Sequence, residues 1–133
     1  MANNWEVYYY ETVDAITPVK DYISSLSIRE RAKILAFIGL LETHGPQLPR
    51  PYADLLKDGI HELRIKLTGT QVRILYFFCY QNSIVLTNVF EKHTDAVPEA
   101  EINTAKDRRT DFIARFPESD IRRTHAKFQR PSQ

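Results

Sequence analysis

Residues 59–94, GIHELRIKLTGTQVRILYFFCYQNSIVLTNVFEKHT, decide the fold of this chain. Three runs rich in Ile, Val, Leu, Tyr and Phe are parted by the polar breaks Thr68-Gly69-Thr70 and Gln81-Asn82-Ser83, the pattern of a three-stranded antiparallel meander. The spacing predicts strands over 61–67, 71–80 and 83–91. In the first, Leu63, Ile65 and Leu67 alternate with Glu62, Arg64 and Lys66, so one face is expected in a core and the other in solvent. The second is apolar at both parities from Val72 to Tyr80, which predicts a middle strand covered on both faces. Gly69 suits the left-handed residue of a hairpin with a bulge, and that register sets Arg73 opposite Arg64 on the charged face. Lys92 and His93 arrive where the third strand ends, and strand ends that open into loops are common places for binding and catalytic groups.

Composition narrows the classes. A chain of 133 residues fits one domain with a single core. Its single cysteine, Cys79, lies inside an apolar strand and is expected to be a buried structural thiol. With no disulfide framework possible, a reducing cytoplasm is the expected compartment. No apolar run reaches transmembrane length and no signal-peptide core follows Met1, so no membrane partner is expected. A net charge of +1 excludes a strongly basic nucleic-acid coat, yet residues 61–93 hold four Lys+Arg against two Asp+Glu and form the locally positive part of the chain. Nothing on the charged strand face resembles an acidic metal site, and no metal or cofactor is expected.

Outward from the meander, Trp5 to Tyr10 alternates as a strand that joins the later sheet. Thr17-Pro18 opens a short helix striped by Val19, Tyr22, Ile23 and Leu26. Ser27 and Glu30 form a capping box for a second helix over 28–43, which Gly45-Pro46 ends. The two helices make a hairpin that must bury its stripe on the apolar side of a four-stranded sheet. Pro46, Pro49 and Pro51 hold an extended connection whose end delivers Lys57 to the mouth of the meander, as a turn residue or as a third cation. His44 suits a C-terminal dipole-compensating role, and His61, on the apolar parity, a structural one. A third helix is expected over 98–116, halted by Pro117. The domain organisation is then a single α+β unit over 1–117, in the order β-α-α-β-β-β-α, and a basic tail over 118–133. That tail, with Arg122, Arg123, Lys127 and Arg130, is either frayed or a basic arm.

Leu55-Leu56-Lys57, Gly59-Ile-His-Glu-Leu-Arg-Ile65, Val72-Arg-Ile-Leu-Tyr-Phe-Phe78 and Phe90-Glu-Lys-His-Thr94, followed by Pro98 and a helix, together resemble the RelE/ParE superfamily of toxin–antitoxin toxins. The nearest likeness is to its HigB-like, phage-derived branch. The resemblance implies a RelE-like fold, with a helical hairpin packed on one face of a twisted antiparallel sheet and the other face comparatively open. It implies ribosome-dependent cleavage of messenger RNA by attack of a 2′-hydroxyl on the adjacent phosphate. It also implies a partner, a cognate helix-turn-helix antitoxin from the same operon. Carried over by position, Arg64, Arg73 and Lys92 are the catalytic cations, with Arg73 stabilising the phosphoryl charge and Arg64 clamping a flanking phosphate. His93 is either the proton-transfer group or an incidental loop histidine, and Lys57 and Lys66 are RNA-binding candidates. Where the family often has Phe-Val-Lys-Lys-Thr, this chain has Phe90-Glu91-Lys92-His93-Thr94, which is expected to place an acid beside the site and lower its charge. A non-catalytic protein of the same fold, whether a gyrase inhibitor like ParE or a domesticated binding module, is the alternative.

Overall fold

The computed structural model describes residues 5–124. The meander forms as β3 (Ile60–Leu67), β4 (Thr70–Cys79) and β5 (Ser83–Glu91). The first hairpin closes on Leu67 and Thr70 with Gly69 at φ +72°, a conformation that L side chains rarely adopt, and it sets Arg64 opposite Arg73. Strand β1 (Glu6–Tyr9) joins β5 in parallel, and the sheet runs β1-β5-β4-β3-β2. Being apolar at both parities, β4 takes the central place.

The fifth strand, β2 (Ala53–Lys57), corrects the reading of that stretch as an unpaired connection. It pairs antiparallel with β3 from Ala53 opposite Leu63 to Lys57 opposite Ile60, across a turn in which Asp58 and Gly59 take φ of +54° and +80°. The prolines lack the backbone donor a strand needs, but the last of them is Pro51, and the five residues of β2 lie beyond it with every N–H available.

Helix α1 (Pro18–Ser24) has its proline in the first turn, and α2 (Ile28–His44) begins on Ser27, whose hydroxyl accepts from the Glu30 amide at 3.2 Å. Gly45 ends α2 at φ +53°, where a Cβ would stand 2.3 Å from the Trp5 indole nitrogen. Ile34, Ile38 and Leu41 of α2 pack with Val19 and Ile23 of α1 against Val7, Leu63, Ile65, Ile74 and Leu86 on one sheet face.

The opposite face is not left open, and here the sequence-based expectation needs correction. Helix α3 (Glu99–Arg115) lays Ile102, Ala105 and Phe112 against Tyr8, Leu75, Phe77 and Val85. The two-faced apolar pattern of β4 demanded a second cover, and the amphipathic α3 is the element free to supply it. That apolar cluster does not include the Arg64–Arg73 pair, where the same face turns polar. After Pro117 a further helix, α4 (Glu118–Thr124), carries Ile121 into this second core at 1% exposure. The first residues of the expected basic tail are therefore helical. The side chains of Arg122 and Arg123, and Lys127 and Arg130 altogether, lie outside the described residues.

Candidate functional site

The register of β3, β4 and β5 sets polar side chains in rows that start within the second apolar cluster and run out past it. Glu62 stands opposite Leu75 and that residue opposite Asn88; Arg64 opposite Arg73 and that residue opposite Phe90; Lys66 opposite Gln71. Lys92 completes the last row, its backbone N–H donating to the Gln71 carbonyl at 2.8 Å.

Lys92 reaches this face only through a bulge. Leu75 pairs with Asn88 but Tyr76 pairs with Leu86, which leaves Thr87 as an extra residue in β5. One extra residue inverts the side-chain alternation beyond it. In an unbulged strand Glu91, not Lys92, would face Gln71. The bulge is tied down on two sides: the Thr87 hydroxyl donates to the Leu75 carbonyl at 3.1 Å, and Arg108 of α3 donates to the Thr87 carbonyl at 2.8 Å. Asn88 next to it donates its amide to the Glu101 carboxylate at 3.0 Å. Glu91 consequently turns to the other face, opposite Val72, where the Tyr22 hydroxyl donates to it at 3.4 Å. The expectation that Glu91 would dilute the cationic face is thus corrected.

The acid that does enter the cluster is Glu62. Strand alternation placed it in solvent, yet it is 2% exposed. Its carboxylate accepts from Arg64 Nη1 at 2.8 Å, and its other oxygen lies 3.2 Å from Arg73 Nε as an ion pair without an aligned hydrogen bond. A carboxylate this deep would be costly without cationic partners, and the two arginines supply them. Arg73 is itself buried, at 3% exposure, with further bonds from Nη1 to the Val72 carbonyl and the Gln71 side chain, and burial pushes its pKa below the usual arginine value. Arg64 keeps 27% of its side chain exposed and is the guanidinium of the pair that solvent reaches. The one sequence signal for Glu62 was its parity, shared with Arg64; alternation assigns a face but not a depth.

Of the other candidates, Lys66 is exposed and lies in the cluster, and Lys92 is half-buried at its edge. His93 is exposed in the loop after β5. Lys57 is not brought to the cluster; its ammonium pairs with Glu99 at 2.8 Å, at the start of α3. His61 faces the helical hairpin side, stacked on Tyr76 at 5.3 Å, and burial holds its pKa below the ordinary value. Burial pushes the Cys79 thiol up to about 12, so it is not a thiolate nucleophile at neutral pH.

Chemically, the face offers two guanidinium groups held by one buried carboxylate, with the Lys66 and Lys92 ammonium groups beside them, an arrangement suited to phosphate oxygens. Among the described residues no group of three or more His, Cys, Asp and Glu could hold a metal ion, and no helix is long and apolar enough to cross a membrane. Comparison with curated proteins finds no match. Residues 21–110, well over half of the chain, match the family described as phage derived protein Gp49-like (DUF891), and the chain belongs to this family, a member of the RelE/HigB-like toxin superfamily.

Proposed function

We propose that this protein is the toxin of a type II toxin–antitoxin pair of the HigB-like kind, a ribosome-dependent endoribonuclease that cleaves messenger RNA by 2′-hydroxyl attack on the adjacent phosphate. The observation that carries the reading is the convergence of Arg64, Arg73, Lys66 and Lys92 on adjoining rows of one sheet face. In such a reaction negative charge grows on the phosphoryl oxygens, and preorganised cationic donors stabilise it most where water is excluded. Arg64, the guanidinium of the pair that solvent reaches, faces the phosphate. Arg73 holds Glu62 and adds charge from behind it, and Lys92 binds the neighbouring phosphoryl oxygens. His93, in the exposed loop beyond, is the proton-transfer group. The ribosome holds the RNA in line for attack, and a helix-turn-helix antitoxin encoded beside the toxin silences it.

The burial of Arg73 and the neutralising Glu62 favour one alternative, a binding protein of the same fold without chemistry. One experiment separates the two. The chain is induced in a bacterial host with and without the adjacent reading frame, and the 5′ ends of cellular transcripts are mapped. New 5′ ends within coding regions are expected only when the neighbour is absent, with their yield reduced on the order of 10²-fold in Arg64→Ala and Arg73→Ala. Growth arrest without new 5′ ends would establish the binding alternative, and full activity in Arg64→Ala, Arg73→Ala and Lys92→Ala would remove this face from the chemistry.

A further inference from the structure

The cationic rows continue around the edge of the sheet. Pairing with β2 ends at Ala53 opposite Leu63, so the rim of β3 beyond it is met by other groups. The Arg64 amide donates to the Tyr52 carbonyl at 2.8 Å, and the Lys33 ammonium of α2 donates to the Lys66 carbonyl. Between α2 and this rim lies a cleft of about 260 Å³ whose lining includes the cations Lys33, Arg64 and Lys66 and the rings of Phe37 and Tyr52. Tyr52 is 38% exposed, and its ring meets that of Phe37 edge to face with centroids 5.7 Å apart. A second cleft of about 370 Å³ shares Lys33 and Lys66 and adds Arg29. Arg29 and Lys33 lie one turn apart on α2, about 6 Å along its axis. Among the described residues the one acid lining either cleft is Glu30, whose carboxylate already accepts from the Ser27 hydroxyl.

We infer that these joined clefts bind a single-stranded RNA segment. One base lies against Tyr52, and the flanking phosphates run over Arg64, Lys66, Lys33 and on to Arg29. This deepens the reading above and rests on it for the identity of the polymer. The aromatic component selects a single strand: a base can stack on the Tyr52 ring only when it is free of its neighbours in a duplex. An acidic peptide would engage the lysines with no use for the exposed ring.

Binding is read by fluorescence anisotropy of a labelled 2′-O-methyl octanucleotide, which lacks the attacking hydroxyl and so separates binding from cleavage. The Lys33→Ala/Lys66→Ala double variant is expected to weaken binding and to flatten the log–log salt slope by about 1.4, the value for two phosphates of a single strand. Tyr52→Ala is expected to weaken it roughly fivefold or more while Tyr52→Phe retains it, since the ring and not the hydroxyl stacks. Lys20→Ala, on the exposed side of α1, serves as the control and leaves binding unchanged. The inference is overturned if both cleft variants bind as tightly as the parent, or if a duplex of the same sequence binds equally well. Loss in the lysine variant with indifference in Tyr52→Ala also overturns it, since charge alone would then account for the binding. Octamer binding that behaves as expected, together with an absence of transcript cleavage, would leave this site standing and remove the ribonuclease reading.

Discussion

At position 62 a carboxylate with 2% of its surface exposed lies against two guanidinium groups, one of them buried as deeply as itself. Such a pair adds little net stability, because each ion gives up its hydration, but removing one member strands the other in a poorly solvated place. Glu62→Gln is therefore expected to lower the stability of the fold by about 3 kcal/mol, since Arg73 would be left without its counter-charge. The urea midpoint measures this, and a loss below about 1 kcal/mol would show that Arg73 finds other compensation. The Glu62→Leu/Arg73→Met double variant should regain most of that stability while losing the oriented Arg64. The pairing of Arg64 with Arg73 was legible in the sequence because Gly69 fixes a short hairpin and the hairpin fixes the register. The burial of Glu62 was not, since it depends on how far neighbouring chains close over the strand.

The bulge in β5 is the element that assembles the site. By inserting Thr87 it sends Lys92 to the arginine face and Glu91 to the face of α1, so a single residue of register decides whether a cation or an anion joins the cluster. Nothing in Ser83–Glu91 announces it, for the run is apolar through Leu86 and changes character without a glycine or proline. Its anchor comes from another element, through the bond from Arg108 of α3 to the Thr87 carbonyl. Arg108 also lies over the Tyr10 ring, 5.4 Å from its centroid, which fixes its stem. Arg108→Ala should cost about 2 kcal/mol, the scale of a hydrogen bond from a charged donor. It should also speed amide exchange over residues 87–92 more than over β3. Uniform exchange across the sheet would mean that the bulge is held by the strands alone.

On the scale of the whole molecule the sheet is sandwiched, with the α1–α2 hairpin on one face and α3 with α4 on the other. The second layer extends past Pro117, because Ile121 reaches 1% exposure beneath it. Ile121→Ala is expected to cost about 2–4 kcal/mol, as for a core isoleucine, whereas Ile113→Ala, at a site 45% exposed on α3, should stay within about 0.5 kcal/mol. Chemical denaturation compares them, and equal effects would place Ile121 outside the cooperative unit. By itself the sequence determined the meander, the register of its first hairpin, the capped helices and the central place of β4. Each of these is written in residues a few positions apart: the alternation around Leu63, the Ser27–Glu30 cap, and the left-handed glycines at 45 and 69. The tertiary structure alone decided that β2 would take the edge of β3, that α3 would close the second face, and that Glu62 and Arg73 would be buried together. It also decided that Lys33 and Tyr52 would meet Arg64 and Lys66 in one cleft. Those outcomes depend on contacts between segments far apart in the chain, such as Lys33 with the Lys66 carbonyl and Arg108 with the Thr87 carbonyl, where periodicity identifies a buried face but not the surface that covers it.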